Sequence, residues 1–184
     1  MSGHSKWSTI KRDKAVNDSK KSMIFTKLTR AITVAARAGS DPESNSALRM
    51  AIEKAKPERM PKDNIERAVQ KGAGGGEGLQ FEEVVYEGYG PEGVALYVRA
   101  LTDNRNRTVA EIRNIFNKHG GNLGGAGSTS YIFGDLENPA FAIEIVSANK
   151  ARGILDLVDA LEDHDDVSEV YSNIKVSDEL LNSL

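Results

Sequence analysis

A glycine-rich stretch, residues 72–78, divides this sequence near its middle. Five of its seven residues are glycine. Glycine adopts positive and negative φ alike, so such a run makes a poor helix or strand and predicts a flexible joint. The net charge changes sign at the same place, from +8 over residues 1–76 to −11 over residues 77–184. We therefore predict two domains, a basic one over 1–76 and an acidic one over 77–184.

The residues before this joint show the three- and four-residue apolar spacing of amphipathic helices. The positions that carry it are Ile24, Leu28, Ala31, Ile32 and Ala35, then Leu48, Ala51, Ile52 and Ala55, then Ile65, Ala68 and Val69. The first helix is expected to end at Gly39 and the second to begin near a cap at Ser44. The third is expected to open at Pro61 and stop at Gly72. With a fraying helix over residues 8–18, the first domain is a small helical bundle.

After the joint, β-branched and aromatic residues indicate strands that alternate with amphipathic helices. Strands are predicted over 84–89, 94–101, 128–133, 141–146 and 167–171, and helices over 108–118 and around 151–161. The order β-β-α-β-β-α-β predicts an α+β fold, in which two helices cover one face of a mostly antiparallel sheet.

Composition excludes several classes of function. The chain has no cysteine, which excludes disulfides, thiolate catalysis and thiolate-bound metals. It has no apolar run near the ~20 residues of a membrane span and no signal-peptide core, so we expect a cytoplasmic protein with no membrane partner. Its three histidines lie far apart without a nucleophile motif, and we expect neither an enzyme nor a cofactor.

The N-terminal segment is the leading candidate site. The first 37 residues hold nine basic side chains against only Asp13 and Asp18. Lysine and arginine attract phosphate backbones and release their counterions, so this segment predicts nucleic-acid binding. Trp7 can stack on an unpaired base or pack back on the helices, and the lysines can instead be a solvated face. The candidate residues are His4, Lys6, Trp7, Lys11, Arg12, Lys14, Lys20, Lys21, Lys27 and Arg30.

A second candidate lies between a predicted strand and a predicted helix, over residues 102–108. Three polar residues there can cap the helix: Asp103, Asn106 or Thr108. Arg105 and Arg107 have planar donor groups that suit a phosphate or a carboxylate, but they can equally pair with Glu111 or other acids of the same domain. The candidate binding residues are Asp103, Asn104, Arg105, Asn106 and Arg107.

Two further patterns do not indicate sites. The glycine-rich residues 120–127 follow a helix and precede a strand, the reverse of the order in phosphate-binding loops, and predict a flexible turn or a close backbone contact. The run 162–166 combines four acids with His164 but lacks the spacing of a cation loop, so we expect a solvated acidic loop without a metal.

From His4 through Trp7 onward, the sequence closely resembles the YebC family, which includes bacterial regulators and the mitochondrial translational activator of cytochrome oxidase subunit one. Further matching segments are 10–11, 25–28, 60–65, 86–91, 101–108, 120–123, 161–163, 165–167 and 170–173. The resemblance implies a helical N-terminal domain followed by α+β domains. It also implies function as a DNA-binding transcriptional regulator or as a ribosome-associated factor that assists translation, for instance through proline-rich stretches.

The resemblance carries over to His4, Lys6, Trp7, Lys11 and Arg12 and to residues 103–107. One departure is large. The family usually has a third domain of about 60–70 residues, an ordinary size for a domain, inserted where this chain has only residues 134–139. An insertion with adjacent ends can be missing without disturbing the host sheet.

We therefore predict a nucleic-acid-binding regulator of gene expression, and specifically a ribosome-associated translation factor that contacts ribosomal or transfer RNA. One alternative is a transcriptional regulator that binds promoter DNA. Others are a protein–protein adaptor that docks through the acidic domain, and an enzyme that uses Arg105 and Arg107 on a phosphorylated substrate. The sequence does not indicate an oligomeric state.

Overall fold

The computed structural model describes residues 18–74 and 81–184, which fall into two compact units. Residues 16–82 form the helical unit, described from Asp18 onward, and residues 83–184 belong to the α+β unit. The predicted domain boundary between residues 76 and 77 and most of the predicted helix over 8–18 lie outside the described residues, and both stay predictions.

Three helices build the helical unit. Helix α1 spans Asp18–Ala35 and continues as a 3-10 turn over Ala36–Ala38, α2 spans Ser46–Ala55, and α3 spans Lys62–Ala73. Their apolar faces meet in one core whose buried members are Ile32, Ala36, Leu48, Ala55, Met60 and Ala68. The helical spacing of the sequence is confirmed here, and Gly39 ends the first helix with φ at +148°.

The cap of α2 differs from the prediction. Asn45, and not Ser44, caps it, because the Asn45 Oδ1 accepts a hydrogen bond from the Leu48 N–H at 3.0 Å. The same carboxamide donates from Nδ2 to the carbonyl oxygens of Ala35 and Gly39, each at 2.8 Å. The Ser44 hydroxyl donates instead to the Asp41 carbonyl. The carboxamide serves both helix ends because its oxygen accepts one hydrogen bond and its NH₂ group donates two. A serine hydroxyl has a single proton and could donate only one of these bonds.

The predicted end of α3 at Gly72 is also wrong, since the helix runs through Gly72 to Ala73. Gly72 is buried where α3 meets α1. A Cβ atom at this position would collide with the carbonyl oxygen of Thr33 and lie 2.7 Å from the Cβ of Ala36. The glycine therefore allows two helix backbones to approach closely, and it does not act as a helix stop.

The α+β unit has a four-stranded sheet and a smaller one. In chain order the elements are β1 Glu82–Tyr89, a 3-10 turn Pro91–Gly93, β2 Ala95–Thr102, α4 Arg105–Lys118, β3 Asn122–Leu123, β4 Ile143–Ile145, α5 Ala148–Glu162, β5 Val167–Ser172, β6 Ile174–Val176 and α6 Asp178–Ser183. The main sheet has the order β3-β1-β2-β5, with β3 antiparallel to β1 and β5 antiparallel to β2. Strands β4 and β6 pair in parallel. The α+β class is confirmed.

Both faces of the main sheet are covered, each by a different part of the chain. Alternate residues of β2, such as Leu96 and Val98, pack with Phe116 of α4 and Leu161 of α5, as the sequence predicts. The intervening residues face the other way. There Ala95 packs with Ile132 and Phe133 of the connection between β3 and β4.

That connection contradicts one predicted strand. Residues 128–132 form turns and Phe133 has no regular structure, while the short strand β3 lies inside the glycine-rich residues 120–127. Its Asn122 and Leu123 pair with Tyr89 and Gly88, which confirms the close backbone contact expected for that run. The predicted strand over 141–146 shortens to β4, and β6 and α6 were not predicted. Among the described residues no helix is long and apolar enough to cross a membrane.

Replacement by alanine is expected to have opposite effects on the free energy of unfolding at two glycines that lie inside helices. Gly72→Ala should lower the free energy of unfolding by about 1–3 kcal/mol, because the added methyl group forces α1 and α3 apart. Gly153→Ala in α5, where a Cβ meets nothing within 4 Å, should raise it by about 0.5–1 kcal/mol through helix propensity. Urea unfolding of both variants checks this pair, and stabilisation by Gly72→Ala would contradict the close helix contact.

Candidate nucleic-acid interface

Most of the leading candidate site lies outside the described residues. This applies to His4, Lys6, Trp7, Lys11, Arg12 and Lys14, whose binding role stays a prediction. Lys20 lies in the first turns of α1, and only its backbone is described.

The remaining predicted cations of α1 differ in their surroundings. Lys21 is exposed, with its Nζ 5.8 Å from the centre of the Phe25 ring. Lys27 and Arg30 are half-buried, and the guanidinium of Arg30 lies 5.1 Å from the centre of the Phe81 ring. This cation–π distance means that Arg30 also packs within its own unit. Of the three, Lys21 is the most accessible to a ligand.

The helical unit exposes further cations that were not among the candidates. They are Arg49 on α2, Lys56 and Arg59 in the turn after it, and Arg67 and Lys71 on α3. Within residues 18–74 and 81–184, none of these five side chains makes a hydrogen bond or an ion pair. Arg67 and Lys71 stand one turn apart on one helix face, where like charges repel. The excess of basic residues over 1–76 contained this signal, but sequence reasoning placed it mainly in the first 37 residues.

The α+β unit neutralises its principal cations internally. Arg99 pairs with Glu169 at 3.3 Å and with Glu83 at 3.8 Å, and Lys150 pairs with Glu92 at 2.8 Å. Its other exposed cations, among them Arg113, Lys118 and Lys175, stand among the 19 acidic residues of 77–184. Arg113, Lys118 and Lys175 also make no hydrogen bond or ion pair with a described residue. What separates the units is the surrounding charge, since three such cations lie among residues of net charge −11 and the five of the helical unit lie among residues of net charge +8.

The second candidate segment, residues 103–107, lies at the start of α4 and joins an ionic network around one buried acid. Arg107 Nη2 contacts Asp166 Oδ2 at 2.7 Å and Asp103 Oδ1 at 3.0 Å. Asp166 is only 3% exposed and also accepts a hydrogen bond from the Thr108 hydroxyl at 2.7 Å. Arg107 therefore pairs with acids of its own unit, the alternative left open by the sequence. Arg105 and Asn106 are exposed.

The cap of α4 is Asn104, and not Asp103, Asn106 or Thr108 as predicted. Because the helix begins at Arg105, Asn104 immediately precedes its first turn, and its Oδ1 accepts from the Arg107 N–H at 3.1 Å. The Asn104 N–H in turn donates to the Thr102 hydroxyl at 2.9 Å. Thr108 is buried, and its hydroxyl shares a hydrogen bond of 2.7 Å with the Thr102 hydroxyl.

Asp166 and His164 correct the prediction of a solvated acidic loop over residues 162–166. Burial by itself raises the pKa of Asp166, but hydrogen bonds from Arg107 and Thr108 outweigh burial and lower it. His164 Nδ1 accepts from the Asp166 N–H, and its Nε2 lies 2.9 Å from Glu111 Oε2. Ligand atoms of Glu111, His164 and Asp166 lie within 4.8 Å of one another, close enough for a metal ion. The Asp166 carboxylate is already paired with the Arg107 guanidinium. We therefore assign these three residues to an ion-pair network.

Glu87 on β1 is a buried carboxylate that the sequence did not single out. Its two oxygens accept from the backbone N–H groups of Gly127, Thr129 and Ser130, at 2.8, 2.6 and 2.8 Å, and from the hydroxyls of Thr129 and Ser130. Burial by itself raises the pKa of Glu87, but these donors lower it by more, so that the pKa falls from 4.5 to about 2. The carboxylate thus draws residues 127–130 into turns where a strand was predicted.

Glu87→Gln should destabilise the protein by about 2–3 kcal/mol at neutral pH, because a shift from 4.5 to about 2 is worth about 3 kcal/mol. A carboxylate whose pKa is lower in the folded than in the unfolded state stabilises the fold at pH values above its unfolded pKa. The difference in unfolding free energy from wild type should therefore be full above about pH 4.5 and shrink as pH falls toward 2. Urea unfolding between pH 7 and 3 measures it, with exposed Glu144→Gln as the control. A difference that is constant with pH would contradict this role.

Arg107→Ala should lower the free energy of unfolding by about 2–3 kcal/mol, because it removes the guanidinium that donates to the buried Asp166 carboxylate. Arg113→Ala, an exposed arginine on the same helix, should change it by less than about 0.5 kcal/mol. Adding Asp166→Asn to Arg107→Ala should recover part of the loss, since the two side chains act as a pair. Equal effects of the two arginine substitutions would refute a structural role for Arg107.

Comparison with known proteins places the chain in a family. Residues 5–75 match the TACO1/YebC protein N-terminal domain, and residues 81–138 match the TACO1/YebC second and third domain. A probable transcriptional regulatory protein from Persephonella marina is 42% identical over 246 aligned positions that cover 98% of each chain. A protein of the same description from Halothermothrix orenii is 40% identical and covers 100% of this chain and 99% of its own.

A conserved hypothetical protein from Aquifex aeolicus has a similar crystal structure, with a TM-score of 0.77 and 36% identity over 88% of this chain and 93% of that one. The Persephonella alignment is 62 positions longer than the 184 residues of this chain, about the length of the third domain expected to be absent. The absence of a third domain and its place, residues 134–139, both stay predictions. With family matches over more than half of its length and relatives of about 40% identity along its whole length, the chain belongs to the TACO1/YebC family.

Proposed function

We propose that this protein is a nucleic-acid-binding regulator of gene expression that holds phosphate groups on its helical unit. The observation that carries the proposal is the set of exposed cations without ion pairs described above, namely Arg49, Lys56, Arg59, Arg67 and Lys71. The regulatory part rests on relatives that are named probable transcriptional regulatory proteins.

The physical argument is one of available charge. A cation that already pairs with a carboxylate must give up that contact to bind a phosphate, and the exchange gains little. An exposed cation without a partner keeps its full attraction and releases condensed counterions from the nucleic acid when it binds. The acidic α+β unit repels a polyanion, which favours contact through the helical unit.

Structured RNA, as in ribosomal or transfer RNA, is the target that we propose first. The accessible cations belong to α2, to the turn after it and to α3, so they form no single row along one helix. Contacts spread over several elements suit the recognition of backbone shape, which is how proteins mostly read double-stranded RNA. On this proposal the protein acts in translation, in association with the ribosome.

A DNA-binding transcriptional regulator is the second candidate. The names of the relatives favour it, and so does the exposed surface of α3, which carries Arg67, Gln70 and Lys71. Arginine and glutamine are side chains that form paired hydrogen bonds with guanine and adenine in the major groove. A helix with this surface can enter that groove.

Binding measured across a salt series to duplex DNA, structured RNA and ribosomes tests the proposal. Replacing Arg49, Arg67 and Lys71 with glutamine should weaken binding and reduce the salt slope by about two to three units, close to one for each lost phosphate contact. The matched control replaces Arg113, Lys118 and Lys175 with glutamine in the α+β unit. It removes the same charge and should leave the slope near that of wild type.

Each outcome decides between the candidates. Tighter binding to RNA or ribosomes than to duplex DNA at equal salt supports a translation factor, and the reverse order supports a transcriptional regulator. Equal losses from the two triple variants would show that only net charge matters and would refute the helical-unit interface. An absence of salt-dependent binding to all three probes would refute nucleic-acid binding and leave a protein–protein adaptor.

A further inference from the structure

The turn between α2 and α3 contains an arginine in a backbone conformation that ordinarily belongs to glycine. The Met60 N–H donates to the Ala55 carbonyl at 3.3 Å, and the Arg59 N–H donates to the Lys56 carbonyl at 3.0 Å. These two bonds form a Schellman motif, in which the residue at the left-handed position is usually glycine. Arg59 occupies that position with φ at +55°. Met60 and Ala55 are both buried in the same core, as the motif requires.

A side chain at this position strains the backbone, because the Cβ of an L-residue approaches the following carbonyl oxygen too closely. In the described part of the chain only Arg59 and Glu92 have positive φ without being glycine. The two differ in what their side chains do. Glu92 forms an ion pair with Lys150 at 2.8 Å. The Arg59 side chain is exposed and makes no hydrogen bond or ion pair with any described residue.

The surroundings of Arg59 are cationic. Residues 54–62 hold four basic side chains and one acid, Glu58, which is half-buried. Lys56 is exposed and makes no ion pair with the residues that are described. Lys62 is exposed as well and lies 3.5 Å from Glu66, the weak surface kind of ion pair. The exposed end of the turn therefore presents a net positive charge.

We infer that the turn over residues 56–62 is a contact for the phosphate backbone of a nucleic acid, with Arg59 as its central group. This inference rests on the proposed function and adds a defined point of contact to it. The planar guanidinium of arginine matches a phosphate with two parallel hydrogen bonds. A side chain that strains the backbone and makes no hydrogen bond or ion pair with a described residue is a candidate for a role in binding. The turn is open and has few cations, which suits a polyanion that contacts the protein at several points at once. A site for free phosphate would instead need donors that enclose the ion, and this turn lacks them among the described residues.

Arg59→Gly separates the structural effect from the binding effect, because the two have opposite signs. Glycine relieves the left-handed strain, so the melting temperature should rise by about 2–4 °C. The same variant should bind the preferred nucleic acid about five- to tenfold more weakly at 0.1 M salt, with a salt slope lower by about one unit. Circular dichroism melting and the binding series described above measure both in the full chain.

Two further variants serve as controls. Arg59→Lys keeps the cation and the strain, so it should retain the wild-type salt slope and melting temperature. Glu92→Gly removes the other left-handed side chain and should leave nucleic-acid binding unchanged. If wild type binds with a clear salt slope and Arg59→Gly keeps that slope, the inference is overturned and the proposed function stands.

The remaining outcomes also decide. If Arg59→Lys loses as much of the salt slope as Arg59→Gly, or if Arg59→Gly melts below wild type, the inference fails. If wild type binds neither duplex DNA, structured RNA nor ribosomes, the proposed function fails and the inference fails with it.

Discussion

A buried carboxylate that pairs with no cation among the described residues organises the α+β unit. Glu87 sits on β1, and its charge is balanced by three backbone N–H groups and two hydroxyls of residues 127–130. Those donors can reach it only if the chain turns, so the segment cannot extend as a strand. The turns bring Ile132 and Phe133 onto the second face of the main sheet, which would otherwise be open to water. One charge thus sets the conformation that completes the core on that side.

Charge is handled differently in the two units. In the α+β unit, arginines join elements distant in sequence, as when Arg107 of α4 reaches Asp166 before β5 and Arg99 of β2 reaches Glu169 of β5. In the helical unit, helix crossings hold the fold through glycine and apolar contacts, as at Gly72. Its cations are not needed for folding in the same way, and several remain exposed. This division is why we propose binding through the helical unit and a structural role for Arg107.

Residue pattern predicted the helices and the α+β class well, because apolar periodicity reflects which side of an element is buried. It failed where a residue acts through a distant partner. Tyr131, Ile132 and Phe133 favour a strand by propensity, but the acceptor that turns their segment is 40 residues away. Both caps were misassigned. Ser44 was predicted at α2, where Asn45 is the cap, and Asp103, Asn106 or Thr108 was predicted at α4, where Asn104 is the cap. All of these side chains are competent caps, and only the helix start selects among them.

The sequence alone determined that the chain is basic before residue 76 and acidic after it, that it is α+β, and that it resembles the YebC family, because composition, periodicity and ordered motifs are all local. Only the tertiary structure decided which charges are available. Arg107 and Arg59 are both plausible phosphate ligands by residue type. Arg107 pairs with a buried acid, while the Arg59 side chain makes no hydrogen bond or ion pair with a described residue. Whether a charge is satisfied depends on what folding brings beside it, and Asp166 lies 59 residues from Arg107 along the chain.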